Sequence, residues 1–97
     1  MKFEWDLSKS AENGWRRGFD FAFASQVFLE RCIAFPDDRR DYGEQRMLAL
    51  GVVEGLPISV VFTDRLQSDG TPVRRIISAR MSSRKERVRY AQAISIP

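Results

Sequence analysis

The chain has 97 residues, 43% of them apolar and 11% aromatic, which is enough for one small core and too apolar for a disordered chain. Its formal net charge is +3, with a single cysteine and no histidine. Without histidine, zinc sites of the usual Cys/His kinds and any Ser-His-Asp or Cys-His apparatus are excluded, so chemistry falls to Arg, Lys, Tyr, Asp, Glu or Ser.

Cys32 has no partner for an intramolecular disulfide, and its apolar setting between Phe28 and Phe35 marks it as a small hydrophobe. No apolar run approaches the roughly 20 residues of a membrane span. The start Met1-Lys2-Phe3-Glu4-Trp5-Asp6 has no signal-peptide character. The expectation is a single cytoplasmic domain over residues 1–97, with no membrane contact, metal or cofactor.

Lys2 to Trp5 alternates as a short strand, with Phe3 and Trp5 on one face. Asp6 or Ser8 caps a predicted helix over Lys9 to Arg17, closed by Gly18. Asp20 opens a second helix over Phe21 to Glu30, whose Phe21, Ala24, Val27 and Phe28 fall at helical spacing. Residues 36–46 are charged and aperiodic, a loop. Three strands follow: Arg46–Val53, Ile58–Thr63 and Val73–Arg80. Glu54-Gly55 makes a tight turn between the first two, and Asp64–Pro72 is a long polar connection. A capping box, Ser83-x-x-Glu86, starts a last helix with Val88, Ala91 and Ile94 toward the core. The order β-α-α-β-β-β-α predicts an α+β fold, an antiparallel sheet with helices on one face.

Charge is concentrated late in the chain. Between Arg74 and Arg89 there are seven Lys/Arg and one acid, a local +6 against a weakly acidic remainder. That asymmetry points to a polyanion such as nucleic acid. Strand alternation places Arg74, Ser78 and Arg80 on the open sheet face with Ser59 and Thr63. Arg65 and Arg84 are expected to converge near Arg80 as a phosphate clamp, because guanidinium matches phosphate oxygens in a bidentate manner. Tyr42, Glu44 or Tyr90 would then move protons. The candidate catalytic set is Arg65, Arg80, Tyr42 and Glu44; the candidate RNA contacts are Arg46, Arg74, Arg75, Arg84, Lys85 and Tyr90. The competing reading is a solvated arginine surface paired to Asp37, Asp38, Asp41 or Glu44. Trp5 reads as core, whereas Trp15, beside Arg16-Arg17, reads equally as core or partner surface.

Taken in order, a series of short pieces resembles one family. It runs from Phe3-Glu4-Trp5-Asp6 through Lys9, Asn13, Gly18-x-x-Phe21 and Ala24-x-x-Val27-Phe28. It continues with Asp37-Asp38-Arg39, Asp41-Tyr42-Gly43-Glu44-x-Arg46 and Gly51. It closes with Val61-Phe62-Thr63-x-Arg65, Arg75-Ile76-Ile77-Ser78-Ala79-Arg80 and Arg84-x-Glu86-Arg87-x-x-Tyr90. The chain is similar in this to BrnT-type toxins of bacterial type II toxin–antitoxin modules. The resemblance implies a RelE-like fold and a metal-independent endoribonuclease that arrests translation. It also implies a BrnA-like antitoxin with a ribbon-helix-helix part, operator DNA bound only through the complex, and a heterotetramer of two toxins and two antitoxins. Three departures stand out. Arg16-Arg17-Gly18 replaces the common Lys-His-Gly, Asp64–Pro72 is longer than usual, and Leu29-Glu30-Arg31 replaces a common Asp-Pro. The first two admit an alternative, a non-catalytic homologue that binds its antitoxin and takes part in operon repression.

Overall fold

The computed structural model describes residues 1–95. Strand β1, Lys2–Trp5, leads into helix α1, Leu7–Arg17, where the Asp6 carboxylate accepts from the Lys9 amide at 3.0 Å. Gly18 ends α1 in left-handed backbone at φ 85°, a conformation that costs glycine little. Asp20 caps the next segment in the same way. The helix expected to reach Glu30 is a single turn, α2 Phe21–Ala24, which tightens into a 3₁₀ stretch at Ser25–Leu29. The tighter pitch sets Val27 against Gly51 and Phe28 between Phe3 and Phe62.

Five strands form one sheet in the order β1-β5-β4-β3-β2. Strands β3 (Met47–Val53), β4 (Leu56–Leu66) and β5 (Pro72–Met81) are the antiparallel meander anticipated from sequence. Glu54 and Gly55, at φ 49° and 81°, make the two-residue turn whose twist suits a hairpin. Two edges extend the sheet. Ile33–Pro36 is strand β2, antiparallel to β3 and too short for its alternation to stand out. β1 lies along β5 in parallel, so the sheet is mixed rather than wholly antiparallel. The long stretch between β1 and β5 in sequence makes that pairing possible. The expected loop Asp64–Pro72 is strand at both ends: β4 runs on to Leu66, β5 starts at Pro72, and Gln67–Thr71 closes the hairpin.

The α+β class is present, with one difference in layering. Phe19, Phe21, Ala24 and Val27 cover one sheet face, over Ala49, Ile58, Val60, Phe62, Ile76 and Ala79. Helix α3, Arg84–Ile94, lies on the other face, where Tyr90 packs with Leu48, Leu50, Val61 and Ile77. Helices therefore cover both faces. The expected inward set on α3 is also rotated, since Val88 is 48% exposed and Ala91 faces solvent. Glu86 and Tyr90 point to the sheet instead.

Gly51 shows how closely the first layer sits. A Cβ at this position would collide with Val27 Cγ2 and press on Cys32 Cβ at 3.3 Å. Gly51→Ala is therefore expected to lower stability by about 1–3 kcal/mol through overpacking. Urea unfolding measures this, and an unchanged midpoint would mean that the 3₁₀ stretch yields freely.

Candidate nucleic-acid interface

One backbone irregularity decides where the arginines go. Across β4 and β5, Val61 pairs with Ser78 and Phe62 with Ile76, leaving Ile77 as the extra residue of a β-bulge. Alternation resets there. Arg74 and Ile76 share the α1–α2 face with Ala79, while Arg75, Ile77, Ser78 and Arg80 belong to the α3 face. The uninterrupted alternation expected from sequence, with Arg74, Ser78 and Arg80 side by side, is thus broken by one residue. Arg74 forms a two-point ion pair with Asp64 at 2.8 and 2.9 Å and stacks on Phe28 and Phe62 at 4.7 and 4.4 Å. Arg75 pairs with Glu4 at 3.1 Å.

The α3 face is not open either. Ser59 and Thr63 are buried. Thr63 donates to the Gln45 carbonyl at 2.7 Å, under the 37–46 loop. Ser59 donates to Glu86 at 2.9 Å and shares a hydrogen bond with Ser82 at 2.8 Å. Glu86 also accepts hydrogen bonds from both terminal nitrogens of the Arg80 guanidinium, at 2.6 and 2.8 Å, and closes the capping box with Ser83. The Arg80 guanidinium holds the Glu86 carboxyl at about 2, far below its usual value. Arg80 is thereby a pin between β5 and α3.

Arg65 stands apart from Arg80. Arg80 is registered with Ser59 and Arg65 with Val73, six residues along β4, so roughly 20 Å separate them. Arg65 therefore does not converge on Arg80, and Arg84 stands exposed in the first turn of α3, the helix that Arg80 pins. Instead Arg65 bonds Glu44 at 2.9 Å, and Glu44 also accepts from Arg46 at 3.4 Å. Arg65, with Arg46 behind it, holds the Glu44 carboxyl below its usual range. Arg46 in turn lies over the Tyr42 ring at 4.1 Å. Four of the sequence candidates, Tyr42, Glu44, Arg46 and Arg65, thus form one unit. Of the competing salt-bridge set, Asp37 pairs with Arg39 at 2.8 Å and Glu44 with Arg65 and Arg46. On α3, Arg84 and Lys85 face solvent, and the Tyr90 hydroxyl donates to the Arg31 carbonyl at 2.6 Å.

Tyr42 and Arg46 open onto a cleft of about 620 Å³ between α1, the 37–46 loop and the β5 bulge. Its described lining includes Lys9, Arg16, Arg17, Arg40 and Arg46, with Glu12 as the carboxylate, and Ile77 and Ser78 at its floor. Arg16 pairs with Glu12 at 3.3 Å. Arg17 donates to the Ala79 carbonyl at 2.6 Å and to Asn13 Oδ1 at 3.3 Å. Two buried polar groups fix the helix that carries these cations. Asn13 Nδ2 donates to the Phe19 carbonyl at 2.8 Å, and Ser10 Oγ accepts from the Phe21 amide at 3.0 Å. Such a concave, cation-rich surface suits a phosphate backbone. Lys9, Arg16, Arg17 and Arg40 lie outside the sequence candidates; the available signal was the spacing of Lys9, Glu12 and Arg16 on one helical face.

A family model described as "Ribonuclease toxin, BrnT, of type II toxin-antitoxin system" matches residues 5–86. No curated protein matches the chain.

The Arg80–Glu86 pin has a pH signature. Its folded carboxyl value is depressed, so the unfolded chain binds the proton more readily and stability rises with pH. The contribution is complete above the ordinary value of 4.5 and is lost as pH falls toward about 2. Glu86→Gln is expected to flatten that part of the stability profile. Glu86→Ala, which leaves Arg80 and Ser59 without their acceptor, should cost about 2–4 kcal/mol at neutral pH. Urea unfolding across pH measures both, and identical profiles for wild type and Glu86→Gln would remove the pin.

Proposed function

The chain belongs to the BrnT family of ribonuclease toxins of type II toxin–antitoxin systems, and we propose that it cuts RNA in the α1–loop–bulge cleft and so arrests translation. The supporting observation is the meeting of Lys9, Arg16, Arg17, Arg40 and Arg46 with Tyr42 around one hollow. In this reading the cations seat two or three successive phosphates. The 2′-oxygen forms a bond to the adjacent phosphorus as the bond to the 5′-oxygen breaks. A cyclic phosphate and a 5′-hydroxyl result, with one proton leaving the 2′-hydroxyl and one reaching the departing oxygen. Guanidinium groups stabilise the charge on the phosphorane, and placement of the 2′-hydroxyl in line supplies much of the remaining acceleration. No step requires a metal ion.

Within that scheme the candidates take different roles. Arg46 is the charge stabiliser, oriented by Glu44, which Arg65 holds from behind. Tyr42, stacked on Arg46, carries the hydroxyl that exchanges a proton with the reacting oxygens. Glu44 is a positioning residue here, because ion pairing keeps it ionised and occupied. Arg80, Arg74 and Arg75 act through fold and surface charge, and Arg84 and Lys85 extend the path for the RNA backbone along α3. The partner is a BrnA-like antitoxin with a ribbon-helix-helix part. Two toxins and two antitoxins assemble and reach operator DNA through the antitoxin. The whole of 1–97 is one RelE-like domain acting in the cytoplasm. One observation favours the non-catalytic alternative: Arg17, at the position of the common histidine, is committed to the Ala79 carbonyl.

The test is incubation of the protein with a structured RNA in excess EDTA, without and with ribosomes, followed by mapping of the fragment ends. Cyclic or 3′-phosphate ends are expected, with the rate lowered about tenfold to a hundredfold by Arg46→Ala and less by Tyr42→Phe. Arg89→Ala, whose side chain lies over Phe35 on the α3 side, should stay within about twofold of wild type. Intact RNA under both conditions would select the non-catalytic reading. RNA affinity should also fall steeply between about 50 and 200 mM salt, and a flat response would remove the phosphate seats.

A further inference from the structure

Helix α1 has three faces with different duties. Ser10 and Asn13 are buried, and Lys9, Glu12 and Arg16 line the cleft. Leu7, Ala11 and Trp15, four residues apart, form a stripe that faces solvent. Leu7 is 80% and Trp15 91% exposed. A lone exposed apolar side chain is ordinary, but here two stand on one helix face beside a partly apolar hollow. That hollow, of about 600 Å³, adjoins the helix at Gly14 and Gly18 and is lined by Phe19, Phe23 and Leu56 together with the acidic Asp20 and Glu54, so the acidic edge of a partner faces the cleft and not the hollow.

We propose that this stripe and hollow seat the inhibitory segment of the antitoxin. The segment is an amphipathic helix with its apolar side on Leu7, Ala11, Trp15 and the hollow, and its acidic side toward Lys9 and Arg16. The inference rests on the toxin–antitoxin reading and adds to it the surface and the chemistry of the partner. The repeat of the stripe, roughly 12 Å over two turns, matches the anchors by which an amphipathic helix docks. The cleft flank is cationic, so the partner's facing edge is acidic by charge complementarity. A second copy of this chain meets the opposite condition, because it would bring one cationic flank toward another on a chain already at +3. RNA would stack on Trp15 but leave Leu7 and the hollow uncovered. Lys9 and Arg16 share the helix with the stripe, so a partner seated there also crosses the mouth of the cleft.

The antitoxin of the same module is titrated by calorimetry onto wild type, Trp15→Ser and Leu7→Ser. Each variant is expected to lose at least tenfold in antitoxin affinity, as at interface anchor positions. RNA cleavage and thermal unfolding should match wild type, since neither side chain lines the cleft or the core. Unchanged antitoxin affinity in both variants overturns the proposal. Weakened RNA binding alongside it would make Trp15 a base-stacking platform. Loss of a wild-type dimer, read by light scattering, would instead make the stripe a self-association face. A wild-type protein that binds no antitoxin overturns the toxin–antitoxin reading itself, a result distinct from equal binding by all three proteins.

Discussion

The bulge at Ile77 is the constraint on which the other features depend. It ends the register that β1 shares with β5, whose last pair is Trp5 with Ile76. Just beyond, the Ala79 carbonyl turns to the sheet edge and receives Arg17 from α1. The helix is thus fastened across the end of β1, and the space between helix, bulge and loop becomes the cleft. The same extra residue moves Arg74 to the aromatic side of the sheet and leaves Arg80 on the other. Regular alternation would leave both on one face, and Ile77 would lie off the Leu48–Leu50–Val61 cluster that it now joins.

Arginine in this chain is first a structural residue. Arg39, Arg65, Arg74, Arg75 and Arg80 each meet a carboxylate within 3.1 Å. Among the described residues no buried side-chain polar atom lacks a hydrogen-bond partner. Exposed pairs of this kind contribute little to stability, while the half-buried Arg80–Glu86–Ser59–Ser82 network would be costly to break at one member. The consequence for function is subtraction. Much of the positive charge between Arg74 and Arg89 is already answered within the fold. The cations that gather around a cavity come from α1 and the 37–46 loop instead.

This explains what the sequence disclosed. The caps at Asp6, Asp20 and Ser83, the Glu54-Gly55 turn and the apolar alternation of Ile58, Val60 and Phe62 are local signals, and each was legible. Tyr42, Glu44, Arg46 and Arg65 were named, although their mutual contacts depend on a loop folding back against β4. A single inserted residue at Ile77 leaves no mark in composition, so the grouping of Arg74 with Arg80 followed from a rule that fails there. β2 was hidden because four residues ending at Pro36 give too few alternations to count. The tertiary role of Arg16 and Arg17 was invisible because charge density within α1 is unremarkable beside the C-terminal block.

A site without histidine relies on groups whose charge does not change near neutral pH, so its geometry must do what proton affinity does elsewhere. Guanidinium groups keep their charge and present fixed forks, which makes placement the variable that matters. The chain fixes placement from below. Ser10 and Asn13 lock α1 to the α2 segment, Arg17 locks it to β5, and Glu44 sets Arg46 against Tyr42. One rigid helix then carries both the cations of the proposed cleft and the apolar stripe beside it. A partner that grips the stripe needs no conformational change to close the cleft. It has only to be wider than the helix it covers.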